Sequence, residues 1–300
     1  MKRFLFTLLL IASVLIPAIN ANAMSSRWLA VLMGEKVSGV FLDDVIDSVV
    51  CDLDATISAS YSGSGQTWAN LIASPADGAN QIDYDAHLGA DDSSSTDDPT
   101  FTGSAGDDAA FFNVDGGDWF TFKTIANATT LIKAHRSDTS GTWIAIAFRT
   151  SGIPVGFTDF WGNSLGSDRG VGGQYDSTGN NIRLRTFGDT AGVQAITNGT
   201  ALSGDTDYLI ILSWDGTSTS NNGVEWVNSA TATTTESSTF NTSTTDETGI
   251  FNIGSSNNGS RPLPSGSRIY HFSCGNEFLD DTKAAAIRTH LQERHAGMRY

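Results

Sequence analysis

A group of aromatic and basic residues in this chain has the chemistry to recognise sugars. Trp161, Tyr175 and Trp226 lie in or beside polar, glycine-rich turns, and Arg183 and Arg185 share one face of a predicted strand. Sugars pack their C–H faces on aromatic rings, while fixed polar groups bind their hydroxyls. An arginine pair on a sheet face would bind the carboxylates of acidic polysaccharides. The ordinary alternatives, a buried aromatic ring and a solvated arginine, remain open for each residue.

Catalytic groups for polysaccharide hydrolysis are not evident in the sequence. Glycosidases use two carboxyl groups, about 5 Å apart for retention and further apart for inversion. No two of the six glutamates lie within five residues of each other, and Asp52 and Asp54, on one strand face, are expected to be structural. The segment 162–166 matches the serine-nucleophile motif G-x-S-x-G, but no helix is predicted after it, as that motif requires. The sequence therefore predicts a protein that is not an enzyme.

The histidines do not predict a metal site either. There are five of them, and none is paired with a cysteine or an acidic residue at the spacing typical of zinc ligands. His290 and His295 are expected to lie together on the solvated end of a helix. No zinc centre is therefore predicted from the sequence.

The composition limits the classes of partner. The 300 residues include 39% hydrophobic residues, which is enough for a sizeable core in one large β-domain or in two small ones. The net charge is −16, from 17 basic and 33 acidic residues. Such a chain is repelled by phosphate backbones and by anionic membrane surfaces. We therefore expect no nucleic-acid partner and no membrane insertion.

The first 23 residues resemble a secretory signal peptide. Lys2 and Arg3 precede a mostly apolar stretch, 4–19, and Ala21-Asn22-Ala23 forms an A-x-A cleavage site. Translation from Met24 is the alternative, in which case residues 1–23 are not part of the protein. No later segment reaches the ~18 apolar residues of a membrane span. We predict a secreted, extracellular or periplasmic protein, with residues 24–50 as a lead-in to a domain at 51–300.

The remaining elements are mostly strands that alternate with turn residues, as in a β-sandwich. Residues 143–149 and 208–214 are apolar on both faces, which is typical of central strands covered on each side. Residues 181–187 alternate instead, with Ile182 and Leu184 on one face. One helix is predicted near the end, capped by Asp280 or Asp281.

Four segments resemble the laminin-G-like, concanavalin A-like jelly-roll family. The first is the run from Asp52 to Asn70, reading DLDATISASYSGSGQTWAN. It is followed by a strand ending VDGGD at Asp118, a strand ending SWDG at Gly216, and a late strand with a short C-terminal helix. The resemblance implies an all-β, concanavalin A-like jelly-roll sandwich of two antiparallel sheets over roughly residues 50–295. Lectins, hydrolases, lyases and structural modules share this architecture.

The resemblance also implies a calcium site and a disulfide. Relatives bind Ca²⁺ at a loop rim, and the candidates nearest the matching segment are Asp107, Asp108, Asp115 and Asp118. Calcium is the only cofactor suggested, and the alternative is that these acids only shape a turn. In the family the first strand pairs with the last, which would place Cys51 beside Cys274 as a disulfide. The alternative there is two buried, unpaired thiols.

These observations favour a secreted, non-catalytic module that binds a glycan or another component of a cell surface. A phage virion protein, such as a tail fibre or decoration protein that contacts other virion or surface proteins, is an equally consistent alternative. A polysaccharide hydrolase or lyase with unfamiliar catalytic residues is the third. The sequence alone does not decide between them.

Overall fold

The chain folds mainly into β-strands, because its β-branched and aromatic residues suit a pleated, half-buried surface. A computed structural model describes residues 41–122, 127–136, 138–163, 170–187, 193–198, 200–215, 223–236, 243–247, 249–256, 259–295, 298 and 300. The strands described are β1 (Val49–Asp54), β2 (Thr67–Trp68), β3 (Ala86–Leu88), β4 (Thr100–Thr102), β5 (Phe111–Val114), β6 (Phe120–Phe122), β7 (Thr142–Arg149), β8 (Phe157–Gly162), β9 (Gly170–Asp176), β10 (Asn181–Phe187), β11 (Val193–Asn198), β12 (Asp207–Trp214), β13 (Gly223–Val227), β14 (Thr234–Glu236), β15 (Asn252–Ile253) and β16 (Ser267–Gly275). The helices are α1 (Thr129–Lys133) and α2 (Asp281–Arg294), and 3₁₀ turns span Leu42–Asp44 and Gln81–Tyr84.

The strands form two antiparallel sheets. The first has the order β14-β13-β12-β7-β16-β5-β4, with β1 also paired to β16, and the second has the order β11-β10-β9-β8-β15-β6-β3-β2. The predicted all-β sandwich of two antiparallel sheets with a short C-terminal helix is therefore confirmed. The predicted signal peptide, residues 1–23, and the first part of the lead-in, residues 24–40, lie outside the described residues.

Strand β7 shows how the layers are arranged. Its side chains at Ile144, Ile146 and Phe148 are fully buried in the core between the two sheets. Trp143 and Ala145, on the opposite face, are also buried, in a second apolar cluster outside the first sheet. The prediction that residues 143–149 are covered on both faces is confirmed, and the first sheet is thus the central layer of the molecule.

Helix α2 covers the outer face of the first sheet. Its N-cap is Asp280, one of the two predicted caps, whose carboxylate accepts a hydrogen bond from the backbone N–H of Lys283 at 2.9 Å. Ile287 and Leu291 are fully buried in the cluster under the helix. The C-terminal helix therefore packs on the apolar outer face of the first sheet.

The end of the predicted lead-in segment belongs to the sandwich. Leu42 and Ile46 are buried in the cluster outside the first sheet, and Val49 and Val50 begin β1. Because these apolar side chains cover the sheet, the structured domain begins before residue 51. It already includes Phe41, where the described residues start.

The first and last strands of the sandwich are neighbours. Strand β1 pairs with β16, and Cys51 lies opposite Cys274 in that register. Both side chains are fully buried and both are free thiols in this structure. Burial and the neighbouring Cys274 raise the pKa of the Cys51 thiol well above its ordinary value. The expected strand pairing is confirmed, whereas the disulfide itself stays a prediction.

We predict that the exported protein carries the Cys51–Cys274 bridge. Reducing it should lower the free energy of unfolding by about 2 kcal/mol, because the bridge restricts the unfolded chain. Denaturant unfolding with and without a reductant measures this difference, and the double variant Cys51→Ala/Cys274→Ala should not respond to the reductant. Two reactive thiols per chain in freshly purified, denatured protein would contradict the prediction.

Candidate functional site

The three aromatic rings proposed for sugar stacking are buried. Trp161 and Tyr175 lie in the core between the sheets, where Trp161 stacks on Trp214 with 6.2 Å between ring centroids. Trp226 lies in the outer cluster, and its indole N–H donates to Asp281 at 2.8 Å. At most 1% of each of the three residues is exposed, so none offers a ring face to a ligand. This corrects their predicted role.

A β-bulge explains why Trp161 points inward. Strict alternation would place Asp159 and Trp161 on one face, but the register of β8 with β9 shifts between these two residues. The extra residue lets both Phe160 and Trp161 face the core. Gly173 lies opposite Trp161, and a Cβ at that glycine would come within 2.5 Å of the indole ring. The glycine therefore makes room for the inward-facing tryptophan.

The two predicted arginines do share a face of β10. Ile182 and Leu184 are fully buried in the core, while Arg183 and Arg185 project from the opposite, outer face of the second sheet. The two arginines therefore lie on the face that the sequence alternation predicted. The candidate site therefore lies on the outer face of the second sheet.

A line of hydrogen bonds holds Arg183 on this face. Its Nε donates to Gln174 Oε1 at 2.9 Å, and its Nη1 lies 3.1 Å from Asp176 Oδ2. The Gln174 amide in turn donates to Asp159, which also accepts from the hydroxyl of Ser256. Gln174 and Asp159 are themselves buried, so the guanidinium rests on a fixed support.

An exposed aromatic ring adjoins these residues. Phe157, at the start of β8, is 43% exposed, and its ring centroid lies 4.8 Å from the guanidinium carbon of Arg183 and 5.3 Å from that of Arg261. Such cation–π contacts hold the ring in place. Ile153 and Val155, in the preceding loop, are also strongly exposed. The surface therefore combines a fixed ring, an apolar rim and positive charge.

The charges on this face are incompletely balanced. Burial lowers the pKa of Arg183 and of Arg185, and the cation of Arg261 lowers both further. Burial also raises the pKa of Asp159, against the effect of hydrogen bonds and nearby arginines. Mutual repulsion among three guanidiniums is relieved when an anion binds between them. We call this surface the arginine platform; it consists of Phe157, Asp159, Gln174, Asp176, Arg183, Arg185, Ser256 and Arg261.

The four predicted calcium ligands fall into two groups. Asp107 and Asp108 are exposed in a turn, and the backbone N–H of Asp115 donates to Asp118 Oδ2 at 2.8 Å. Asp118 Oδ1 is buried and accepts no hydrogen bond from the described residues. Burial raises the pKa of Asp118 to about 7, and the carboxylates of Asp115 and Asp98 add to the shift. Calcium at Asp115 and Asp118 stays a prediction, with Asp98 as the neighbour that the sequence did not suggest.

Asp118 should make stability depend on pH. Its pKa is raised in the folded protein, so its contribution is present below about pH 4 and is lost as the pH rises through about 7. Without added calcium, the free energy of unfolding of the wild type relative to Asp118→Asn should fall over this range, by at most about 1.4 kcal/mol per pH unit. Denaturant unfolding between pH 4 and 8 measures the slope.

Two variants test whether Asp118 causes this pH dependence. Asp118→Asn should lack this contribution between pH 4 and 7, because the amide oxygen can still accept the Asp115 hydrogen bond but no longer titrates. Asp108→Asn, in an exposed turn, should leave the slope unchanged. Identical pH profiles for wild type and Asp118→Asn would show that Asp118 is not the titrating group.

Asp52 and Asp54 are fully buried under the end of α2 and do not face solvent. Arg294 Nη1 lies 3.2 Å from Asp52 Oδ2 and 2.9 Å from Asp54 Oδ2, and His295 Nε2 lies 3.1 Å from Asp54 Oδ2. Burial works to raise the pKa of Asp54, but His295, His271 and Arg294 outweigh it and hold that pKa well below its ordinary value.

The C-terminal end of α2 is therefore buried and not solvated. His290 is only 6% exposed and His295 is fully buried, contrary to the sequence expectation. Burial and, to a smaller extent, the neighbouring Arg294 lower the pKa of His290 to about 4. The sequence missed this cluster because its members come from β1, β16 and the end of α2, which share no local spacing. Ser164, of the G-x-S-x-G segment, lies outside the described residues.

Among the helices that the structure describes, none has the length and apolar character of a membrane span. No family model matches the chain, and no curated protein matches its sequence. Comparison with solved structures gives similarities of fold.

The fold is similar to those of carbohydrate-active proteins at low sequence identity. Domain 4 of AbnA, a GH43 extracellular arabinanase from Geobacillus stearothermophilus in complex with arabinotriose, has a TM-score of 0.52 at 7% identity, covering 80% of this chain and 98% of that one. A Trypanosoma rangeli sialidase mutant with trans-sialidase activity has a TM-score of 0.52 at 13% identity, covering 83% of this chain and 34% of that one. The chain thus spans about a third of the sialidase. These likenesses show the fold alone, and membership of the concanavalin A-like family stays a prediction.

Proposed function

We propose that this chain is a secreted, non-catalytic module that binds an anionic glycan on the arginine platform. The observation that carries the proposal is that Arg183 and Arg261 lie over the exposed ring of Phe157, with Arg185 on the same face of β10 as Arg183. The whole chain has a net charge of −16, so three clustered guanidiniums are a strong local departure from its average. A carboxylate-bearing sugar matches both the charge and the ring.

The platform supplies the two kinds of contact that sugar recognition needs. The ring of Phe157 offers an apolar face for the C–H groups of a pyranose or furanose. Guanidinium groups bind carboxylates through paired, charge-assisted hydrogen bonds. The guanidinium groups of Arg185 and Arg261 make no hydrogen bond or ion pair with the other described residues, so their N–H groups are available to a ligand. Arg183, held by Gln174 and Asp176, keeps the cluster in place.

The two carboxylates of the platform support binding rather than catalysis. Asp176 is paired with Arg183 at 3.1 Å, and Asp159 accepts hydrogen bonds from Gln174 and Ser256. Both therefore hold other platform residues, and neither is presented as a free acid or base. Reducing-sugar release from any polysaccharide would contradict this part of the proposal and favour the hydrolase or lyase alternative.

The fold comparison supports the proposal without deciding it. The AbnA domain, which the chain covers almost completely, has a similar fold and was solved with arabinotriose. The alternative of a phage virion or adhesive protein rests on sequence features alone, and no contact described above favours it.

The test is a glycan array probed with the purified chain, with and without calcium. We expect binding to glycans that contain uronic or sialic acids, weakening as salt is added, because charge pairs at a surface are screened. The matched ligand control is the same glycan with its carboxyl group reduced to an alcohol, which should not bind. Equal binding to both forms, or no glycan binding at all, would overturn the proposal. The calcium arm shows whether the site at Asp115 and Asp118 contributes.

A further inference from the structure

A second site lies on the other side of the molecule, where β1, β16 and the end of α2 meet. Asp54, His271 and His295 are all fully buried there. Their nearest ligand atoms, one carboxylate oxygen and two ring nitrogens, all lie within 4.8 Å of one another. The three residues come from distant parts of the chain and none belongs to the arginine platform.

The imidazole of His271 has no hydrogen-bond partner among the described residues. Neither of its ring nitrogens is hydrogen-bonded, and its Nδ1 lies 3.5 Å from both Asp54 Oδ2 and Asp52 Oδ1 without forming a hydrogen bond. Nδ1 of His295 is also without a partner. Buried polar atoms are almost always satisfied, so orphaned ring nitrogens beside carboxylates call for an explanation.

The distances from Asp54 Oδ2 to the two histidines match those between the ligands of a zinc ion. With metal–nitrogen and metal–oxygen distances near 2.0–2.2 Å, tetrahedral ligand atoms lie about 3.3–3.5 Å apart. His295 Nε2 and His271 Nδ1 lie 3.1 Å and 3.5 Å from Asp54 Oδ2. We propose that Asp54, His271 and His295 together bind one divalent transition-metal ion of the zinc class.

The residues around the group fit a metal ligand set. Oδ1 of Asp54 accepts from the N–H and hydroxyl of Thr56 at 2.8 and 2.6 Å, which leaves Oδ2 for the metal. Arg294 donates to that same Oδ2, but an ionised carboxylate oxygen has a second lone pair. The Arg294 contact therefore holds the ligating carboxylate in orientation, as partners of metal ligands commonly do.

The charges also suit a cation. Asp52 and Asp54 bring two negative charges to a buried place that contains one permanent positive charge, Arg294. A divalent ion bound by Asp54 and two neutral imidazoles would supply positive charge beside these carboxylates. Because the three ligands are fully buried, the site is closed to substrates and its effect is structural. The ion would join the end of α2 to β1 and β16.

The test uses the purified chain after dialysis against a chelator. Titration with Zn²⁺, monitored by calorimetry and checked by metal analysis, should give one ion per chain. The Zn²⁺-bound chain should have a higher melting temperature. Co²⁺ as a probe should give the intense visible absorption of a tetrahedral complex. His271→Gln should weaken Zn²⁺ binding by at least about 100-fold, since losing a group that only hydrogen-bonds a ligand costs 10- to 100-fold. His290→Gln is the matched buried control and should bind as wild type does.

A second variant and a spectroscopic measurement test the proposal if His271→Gln does not fold. His295→Gln should lose binding in the same way, and X-ray absorption of the wild-type Zn²⁺ complex should show two imidazole ligands. Absence of stoichiometric Zn²⁺ and Co²⁺ binding, or binding that His271→Gln and His295→Gln both leave intact, would overturn the proposal. The glycan-array result is independent of this site, because its ligands lie outside the arginine platform.

Discussion

Replacing Arg294 by alanine is expected to lower the free energy of unfolding by about 3–5 kcal/mol, the cost of leaving buried charges without their partner. Only 3% of the Arg294 side chain is exposed, and its guanidinium contacts both Asp52 and Asp54, which are fully buried. Burial opposes the charge of Arg294, but the two aspartates outweigh it and raise its pKa. Denaturant unfolding of chelator-treated protein near pH 7 measures the loss.

Two controls separate lost charge compensation from lost packing. Arg288→Ala lies on the same helix, where the guanidinium donates to the backbone carbonyl of Tyr300 at 2.8 Å, and it should cost less than about 1 kcal/mol. The triple variant Arg294→Met/Asp52→Asn/Asp54→Asn removes all three charges and should cost less than Arg294→Ala alone. A loss no larger for Arg294→Ala than for Arg288→Ala would show that the two aspartates do not depend on Arg294.

The second large effect concerns ligand binding. The double variant Arg185→Gln/Arg261→Gln is expected to weaken binding of a carboxylated glycan by about 100-fold, because truncating charged partners of a ligand carboxylate costs about 2–5 kcal/mol. Both guanidiniums make no hydrogen bond with other described residues, and they repel each other and Arg183. Their removal relieves this repulsion but also loses the cation–π contact of Arg261 with Phe157, so the melting temperature should change little. Isothermal titration with the best array ligand measures the affinity.

The matched control is Arg268→Gln. Its guanidinium lies 4.4 Å from the ring centroid of Phe111, much as that of Arg261 lies over Phe157, but β16 and β5 belong to the first sheet. The control should bind the glycan as tightly as wild type does. Equal affinities for wild type and the double variant would place the glycan site elsewhere. Glutamine is used because it removes charge while keeping most of the side-chain length.

The parts of the fold that were predictable depend on local periodicity. The two apolar faces of residues 143–149 indicated a covered central strand, and the alternation of residues 181–187 placed Arg183 and Arg185 outside. Each follows from the twofold repeat of a strand, which a sequence displays directly. The pairing of Cys51 with Cys274 came from the family resemblance instead.

The parts that were missed depend on tertiary contacts. Trp161 faces the core because of a bulge in β8, and a single added residue reverses the face that alternation predicts. Arg261 meets Phe157 from a different segment of the chain, and the three residues around Asp54 converge from separate elements. The pairing of Trp161 with Gly173, which makes room for the inward-facing ring, is seen only in the structure.

The position of β16 has a consequence for how the chain acquires its structure during synthesis. This strand lies between β7 on one side and β1 and β5 on the other, although it follows β7 by more than a hundred residues. The central layer therefore cannot assemble until nearly the whole polypeptide has been made, and contacts so remote in sequence form slowly. Until then the apolar β7 can pair only with β12 and lacks its other neighbour, a state that favours binding by chaperones.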